Sequence, residues 1–115
     1  MALAATQFTQ TRRSPLGVRR YEITGKFTGP ASYTAGGESL TEAILKVIGG
    51  IRSVEILQFT SLLDATFANA KSLSFDRNVS GSTAGKIHSY DAAGTETAGA
   101  TNLSTFTCSF RLVGY

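Results

Sequence analysis

At 115 residues the chain has room for one domain with one core. With 42% hydrophobic and 17% charged residues it is not disordered by composition, and no apolar run reaches the length of a membrane span. Eleven Lys and Arg against eight Asp and Glu give a mild net charge of +3. Five of those cations, Arg12, Arg13, Arg19, Arg20 and Lys26, fall in the first quarter, where Glu22 is the only acid.

Residues 1–17 are rich in Thr, Gln, Ala and arginine, and they close on the turn formers Ser14, Pro15 and Gly17. Too polar to fill a core, they are predicted to be an extended N-terminal arm. They also lack the basic-then-apolar pattern of a secretory signal, so synthesis in a reducing cytosol is expected. In residues 18–27 (VRRYEITGKF), Tyr21, Ile23 and Phe27 alternate with Arg20, Glu22, Thr24 and Lys26, the pattern of an amphipathic strand. Gly29 and Pro30 stop it, and the Gly36-Gly37 pair of residues 33–40 (YTAGGESL) permits a tight turn. Ser39 and Glu42 have capping-box spacing before an apolar run, and Gly49-Gly50 end that run. A short helix or helical turn over about 40–48 fits, as does an irregular or extended connection, because only two turns are available.

Residues 52–63 (RSVEILQFTSLL) carry apolar side chains on both parities, which predicts a strand buried on both faces or one with a bulge. A strand over 67–75 follows with Leu73 and Phe75 inward, then a flexible turn over 78–85 (NVSGSTAG) and a short strand over 86–91 (KIHSYD). The stretch 92–102 reads as a polar connection. In the last segment, 103–115 (LSTFTCSFRLVGY), Phe106, Cys108, Phe110 and Leu112 alternate strictly with Thr105, Thr107, Ser109 and Arg111, a half-buried strand that closes the domain. Five or six strands with at most one short helix predict an all-β fold, a β-sandwich or small barrel with the jelly roll among the candidates. Residues 18–115 would form this domain, and 1–17 the arm.

Little here resembles catalytic equipment. The one cysteine, Cys108, excludes an internal disulfide and reads as a small buried hydrophobe. His88 alone cannot build a zinc site, and it is expected to be a surface or structural histidine. No two carboxylates among Glu38, Glu42, Glu55, Asp64, Asp76, Asp91 and Glu96 have a spacing that implies acid and base roles. Gly36-Gly37 is too short for a phosphate loop, and the Asn78-Val79-Ser80 sequon lacks a secretory context. Tyr21 and Phe27 near Arg19, Arg20 and Lys26 suggest a single-strand nucleic-acid surface, but these aromatics share the face that would fill the core. The expectation is therefore a protein that is not an enzyme, with no catalytic residue, cofactor or metal, whose purpose lies in its surfaces.

Two stretches carry a resemblance. The wording YTAGGESL at 33–40, and the order KIHSYD, AAGTETAGATNLS and closing strand over 86–113, resemble small structural proteins of tailed bacteriophages, of the capsid decoration or cement type. The resemblance implies a virion protein with a β-sandwich fold, assembled as a homotrimer on the capsid surface after synthesis in the bacterial cytoplasm. Its partner would be the major capsid protein, whose subunits it would bridge, with no membrane partner and no principal role for nucleic acid. The arm would lie across a neighbour, with Arg12, Arg13, Arg19 and Arg20 as candidate contacts to its carboxylates. A tail, neck or fibre-associated component and a small β-barrel nucleic-acid module remain the alternatives.

Overall fold

The structure, a computed structural model, describes residues 4–66, 69–77 and 83–115. The expected turn over 78–85 lies mostly outside them, as does the Asn78 sequon. Among the described residues, eight strands and one short helix make the fold all-β, as the sequence predicts. Of the forms considered, it lies nearest the small barrel, because the strands make one curled antiparallel sheet shaped as half a barrel.

A 3-10 turn at Ala5–Gln7 leads into β1 (Phe8–Gly17), which turns back through Val18 and Arg19 into β2 (Arg20–Thr28). A loop then reaches β3 (Glu38–Thr41) and helix α1 (Glu42–Gly49). Next come β4 (Val54–Phe59), the two-residue β5 (Leu62–Leu63), β6 (Ala70–Asp76), β7 (Thr83–Asp91) and β8 (Thr107–Gly114). The sheet runs β1-β2-β8-β5-β6-β7-β3, with β4 beside β5 on the same edge of β8.

The alternation in the last segment has the predicted outcome within β8, while Phe106, expected inward with it, lies just before the strand and is half-buried. Cys108, Phe110 and Leu112 are buried, Thr107 and Ser109 are exposed, and Arg111 is half-buried on the outer face. Ile23 and Phe27 of β2 are buried opposite them, in register Ile23↔Leu112 and Phe27↔Cys108. The two-sided apolar pattern of 52–63 resolves into a register shift between Val54 and Ile56, then a break at Thr60 and Ser61 that separates β4 from β5. Thr60 still holds β8 there, since its N–H donates to the Ser109 carbonyl at 3.0 Å.

Two expectations need correction. The helix starts later than the Ser39 signal implies, because residues 38–41 pair with β7 and Ser39 sits in that ladder. Thr41 is the N-cap, its hydroxyl oxygen accepting from the Ile44 N–H at 3.3 Å. At the other end Gly50 adopts the left-handed conformation, φ 64°, and its N–H donates back to the helix. Ile44, Leu45 and Ile48 line the buried face of α1, and the helix touches β1, β3 and the 3-10 turn, so it spans the gap between the two free edges of the sheet.

The second correction concerns the arm. Residues 8–17 are not outside the domain but are its edge strand, paired with β2 from Phe8↔Phe27 to Gly17↔Arg20. Phe8 enters the core, with ring centroids 4.9 Å from Phe27 and 5.4 Å from Phe110. One aromatic anchor and a ladder of backbone bonds fix a segment whose other side chains, Ser14 apart, are exposed. Phe8→Ala should therefore cost about 3–5 kcal/mol and lower the melting temperature by roughly 10 °C or more. Exposed Thr9, replaced by Ala, should change stability by no more than about 0.5 kcal/mol. A Phe8→Ala protein that melts like the parent would put β1 outside the domain after all.

Candidate functional site

Two clusters of polar side chains stand out, at opposite ends of the chain's logic: one is spent on holding loops, and the other faces solvent.

The first is built around the Tyr-x-x-Gly-Gly-Glu stretch at 33–38. Tyr33 is buried, and its hydroxyl accepts from the Ser89 N–H at 3.0 Å while donating to Glu96 Oε2 at 2.9 Å. That same carboxylate oxygen accepts from the Gly36 N–H at 3.0 Å and lies 3.5 Å from His88 Nδ1. Gly37, at φ 106°, lies against the His88 ring, where any side chain would crowd the imidazole. Glu38, only 2% exposed, closes the loop by accepting from the Thr34 N–H at 2.7 Å. Further along β7, the Ser89 and Thr97 hydroxyls meet at 2.8 Å, Thr97 reaches Asp91, and Lys71 Nζ donates to Asp91 Oδ1 at 2.6 Å.

The network fastens two loops to β7. The connection 92–102, predicted only as polar, is held through the buried Thr97 and a bridge between Tyr90 and Glu96, and its residues 100 and 101 exchange backbone bonds with Tyr33. His88 is thus a structural histidine, half-buried between Gly37 and Glu96.

Burial, the largest cause, pushes the Tyr33 hydroxyl from 10.0 up to about 12, with Glu96 adding to the effect. Glu96 itself is held below its ordinary range, first by the Tyr33 hydrogen bond and then by the Gly36 N–H. Burial alone takes the Cys108 thiol from 9.0 to about 12. Both raised groups bind protons more tightly folded than unfolded. Their contribution to stability is whole below about pH 9 and declines as pH rises towards 12. Tyr33→Phe should flatten that decline. It should also cost about 1–3 kcal/mol at neutral pH, because the Ser89 N–H loses its acceptor. Urea unfolding of parent and variant at neutral and alkaline pH measures both effects, and a parent whose stability is constant to pH 11 would contradict the assignment.

The second cluster is assembled from β1, the hairpin tip and the corner after α1. Arg13 leans back from β1 so that its Nε donates to the Gly49 carbonyl at 2.9 Å, capping the helix C-terminus with a cation. Its guanidinium also lies 3.8 Å from the Tyr21 ring centroid. Tyr21 forms one wall of an open cleft of about 560 Å³ whose other lining residues are Arg19, Gly50, Arg52, Ser53 and Tyr115. The Tyr115 carbonyl region is fixed by the Arg52 and Ser53 N–H groups at 2.9 and 3.0 Å. A neighbouring cleft shares Gly50 and Arg52 and adds Lys46 and Glu42.

Of the four arginines singled out by sequence, this corner gathers Arg13 and Arg19. Arg20 is paired with Glu55 at 3.0 Å, and Arg12 Nε donates to Ser14 Oγ on the exposed edge. Sequence reasoning missed Arg52, Lys46 and Tyr115, because only the close packing of Gly49 on Ile23 brings the corner beside the hairpin. The tip projects an apolar residue as well, since Val18 is 90% exposed and Leu16 is also exposed. Arg19 holds φ 61°, a conformation that costs an ordinary L-residue about 1–2 kcal/mol.

Fold and clusters together define an all-β half-barrel with a plugging helix, one loop-fastening polar network and one solvent-facing basic corner. Compared with known proteins, the chain matches no family model, no curated protein and no solved structure.

Proposed function

We propose that the protein is a non-enzymatic structural component of a tailed-phage virion, a capsid decoration (cement) protein that bridges major capsid subunits as a trimer. The observation that carries this reading is the division of labour between the two clusters. The groups with chemical potential are already engaged: Tyr33, His88 and Glu96 with one another and with backbone N–H groups, and Asp91 with Lys71 and Thr97. What faces solvent is a projecting hairpin with an exposed valine and, beside it, Arg19 and Arg52, which make no ion pair among the described residues; this suits contact rather than turnover. The wording at 33–40, which carries the resemblance to phage proteins, forms the loop that this network holds.

Such a component works by repetition. Copies placed by the symmetry of a shell bind through several weak contacts at once, so each contact can be small. A half-barrel whose loops are fastened by buried hydrogen bonds would present those contacts rigidly and lose little entropy on docking.

Counting copies in purified particles tests the reading. A decoration protein is present at a number comparable with the major capsid protein, whereas a tail or neck component is present at far fewer. Light scattering on the isolated protein should give a trimer, and a monomer at micromolar concentration would count against it. The rival reading of the basic corner is a nucleic-acid module. In that case single-stranded DNA should bind at micromolar or tighter affinity at physiological salt, with a steep loss as salt rises.

A further inference from the structure

We infer that the basic corner is a docking cleft for an acidic segment of another protein, with Arg19 and Arg52 as its paired carboxylate-binding forks. The inference rests on the structural reading above for its setting, but its chemistry stands on the corner alone.

Glu22 is paired with Arg111 at 2.6 Å, Glu55 with Arg20, and Asp91 with Lys71. Glu96 and Glu38 accept from the loop at 33–38, Asp64 accepts from Asn69, and Asp76 is also engaged. Glu42 is the one acid with no partner among the described residues, and it is the one acidic side chain lining either cleft. Around the same corner stand Arg13, Arg19, Lys46 and Arg52, and none of them makes an ion pair among the described residues. A second copy of the chain offers this surface only Glu42, which stands at that copy's own basic corner, since its other carboxylates are already in use. The corner calls for carboxylates from elsewhere.

The form of the cleft narrows the partner further. Guanidinium groups are planar forks that match a carboxylate with two parallel hydrogen bonds. Arg19 and Arg52 come from different elements and line one cleft, with Tyr21 and the half-exposed Tyr115 as further lining. Arg13 covers the Tyr21 ring, so Tyr21 is not a bare platform on which bases could stack. The cations also cluster at one corner instead of tracking along a groove, which suits a short acidic segment better than a polynucleotide. At the hairpin tip Arg19 takes the positive φ that a tight hairpin turn requires, and Val18 beside it is 90% exposed. Val18 would supply the apolar contact next to the forks.

The test uses the full chain, a fluorescein-labelled short peptide of alternating Glu and Val, and labelled oligo-dT of equal charge. Two double variants remove the same charge, Arg19→Ala/Arg52→Ala at the corner and Arg12→Ala/Lys26→Ala elsewhere on β1 and β2. Thermal melts establish that both remain folded. The peptide should bind the parent, lose affinity about tenfold or more in the corner variant, and change less than about twofold in the other. Equal losses in the two variants, no peptide binding by the parent, or tighter binding of oligo-dT than of peptide would each overturn the inference. Particle attachment separates the two claims. If the corner variant still decorates particles, the cleft is not the docking site and the virion reading stands; if the parent binds peptide but no particle, the virion reading falls and the cleft stands.

Discussion

Everything in this molecule hangs on β8 being paired along both of its edges. On one edge it takes β2 over eight consecutive residues, from Tyr21↔Gly114 to Thr28↔Thr107. On the other it takes β4, from Val54↔Gly114 to Phe59↔Phe110, and then β5 at Leu63↔Thr107. Since Leu112 and Val113 are both buried, this strand is covered on both faces at that end as well. It joins the hairpin β1-β2 to the β5-β6-β7-β3 half of the sheet, and the curl that results leaves a mouth between β1 and β3 that α1 fills. The pairings of β8 with β2 span most of the chain. Such non-local closure makes folding slow compared with helical domains of the same size.

The corner that we assign to partner binding is a by-product of that closure. Gly49 fits against the Ile23 side chain, where any larger residue would collide with the isoleucine Cδ1. With α1 pressed onto β2 in this way, its C-terminus meets Arg13, and the residues that follow it meet the hairpin tip. Core packing thus sets the spacing of the forks. A change at Gly49 would be read out at the surface, through the distance between Arg19 and Arg52.

How far the sequence could be read follows from the range of the interactions. Period-two alternation is a local signal, and it placed β2 and β8 with their inward residues because Ile23, Phe27, Phe110 and Leu112 face a core on one side only. The strand β1 has no such signal: after Phe8 nearly every side chain is exposed, so nothing distinguishes it from a polar arm except its turn at residues 17–20. The helix was legible but shifted, because a strand ladder claimed Ser39 and left Thr41 as the cap. Within the sites, Gly36-Gly37 was readable as a turn. Its partners Glu96 and His88 lie more than fifty residues away and become visible only once β3 and β7 are paired. Arg52 and Lys46 are isolated cations in sequence and acquire meaning only beside Arg19.

The outer edge of β1 is interrupted in a way that bears on crowding. Register shifts skip Thr11 and Leu16, and Pro15 lies between them with no N–H to offer. Arginines at 12 and 13 add like charge along the same short strand. An unbroken edge of ten residues would be a template for runaway strand addition. Molecules packed side by side at high density would meet edge to edge far more often than they do in dilute solution. Bulges, proline and repelling cations keep β1 from recruiting a neighbour's backbone, so copies can be crowded without seeding fibres.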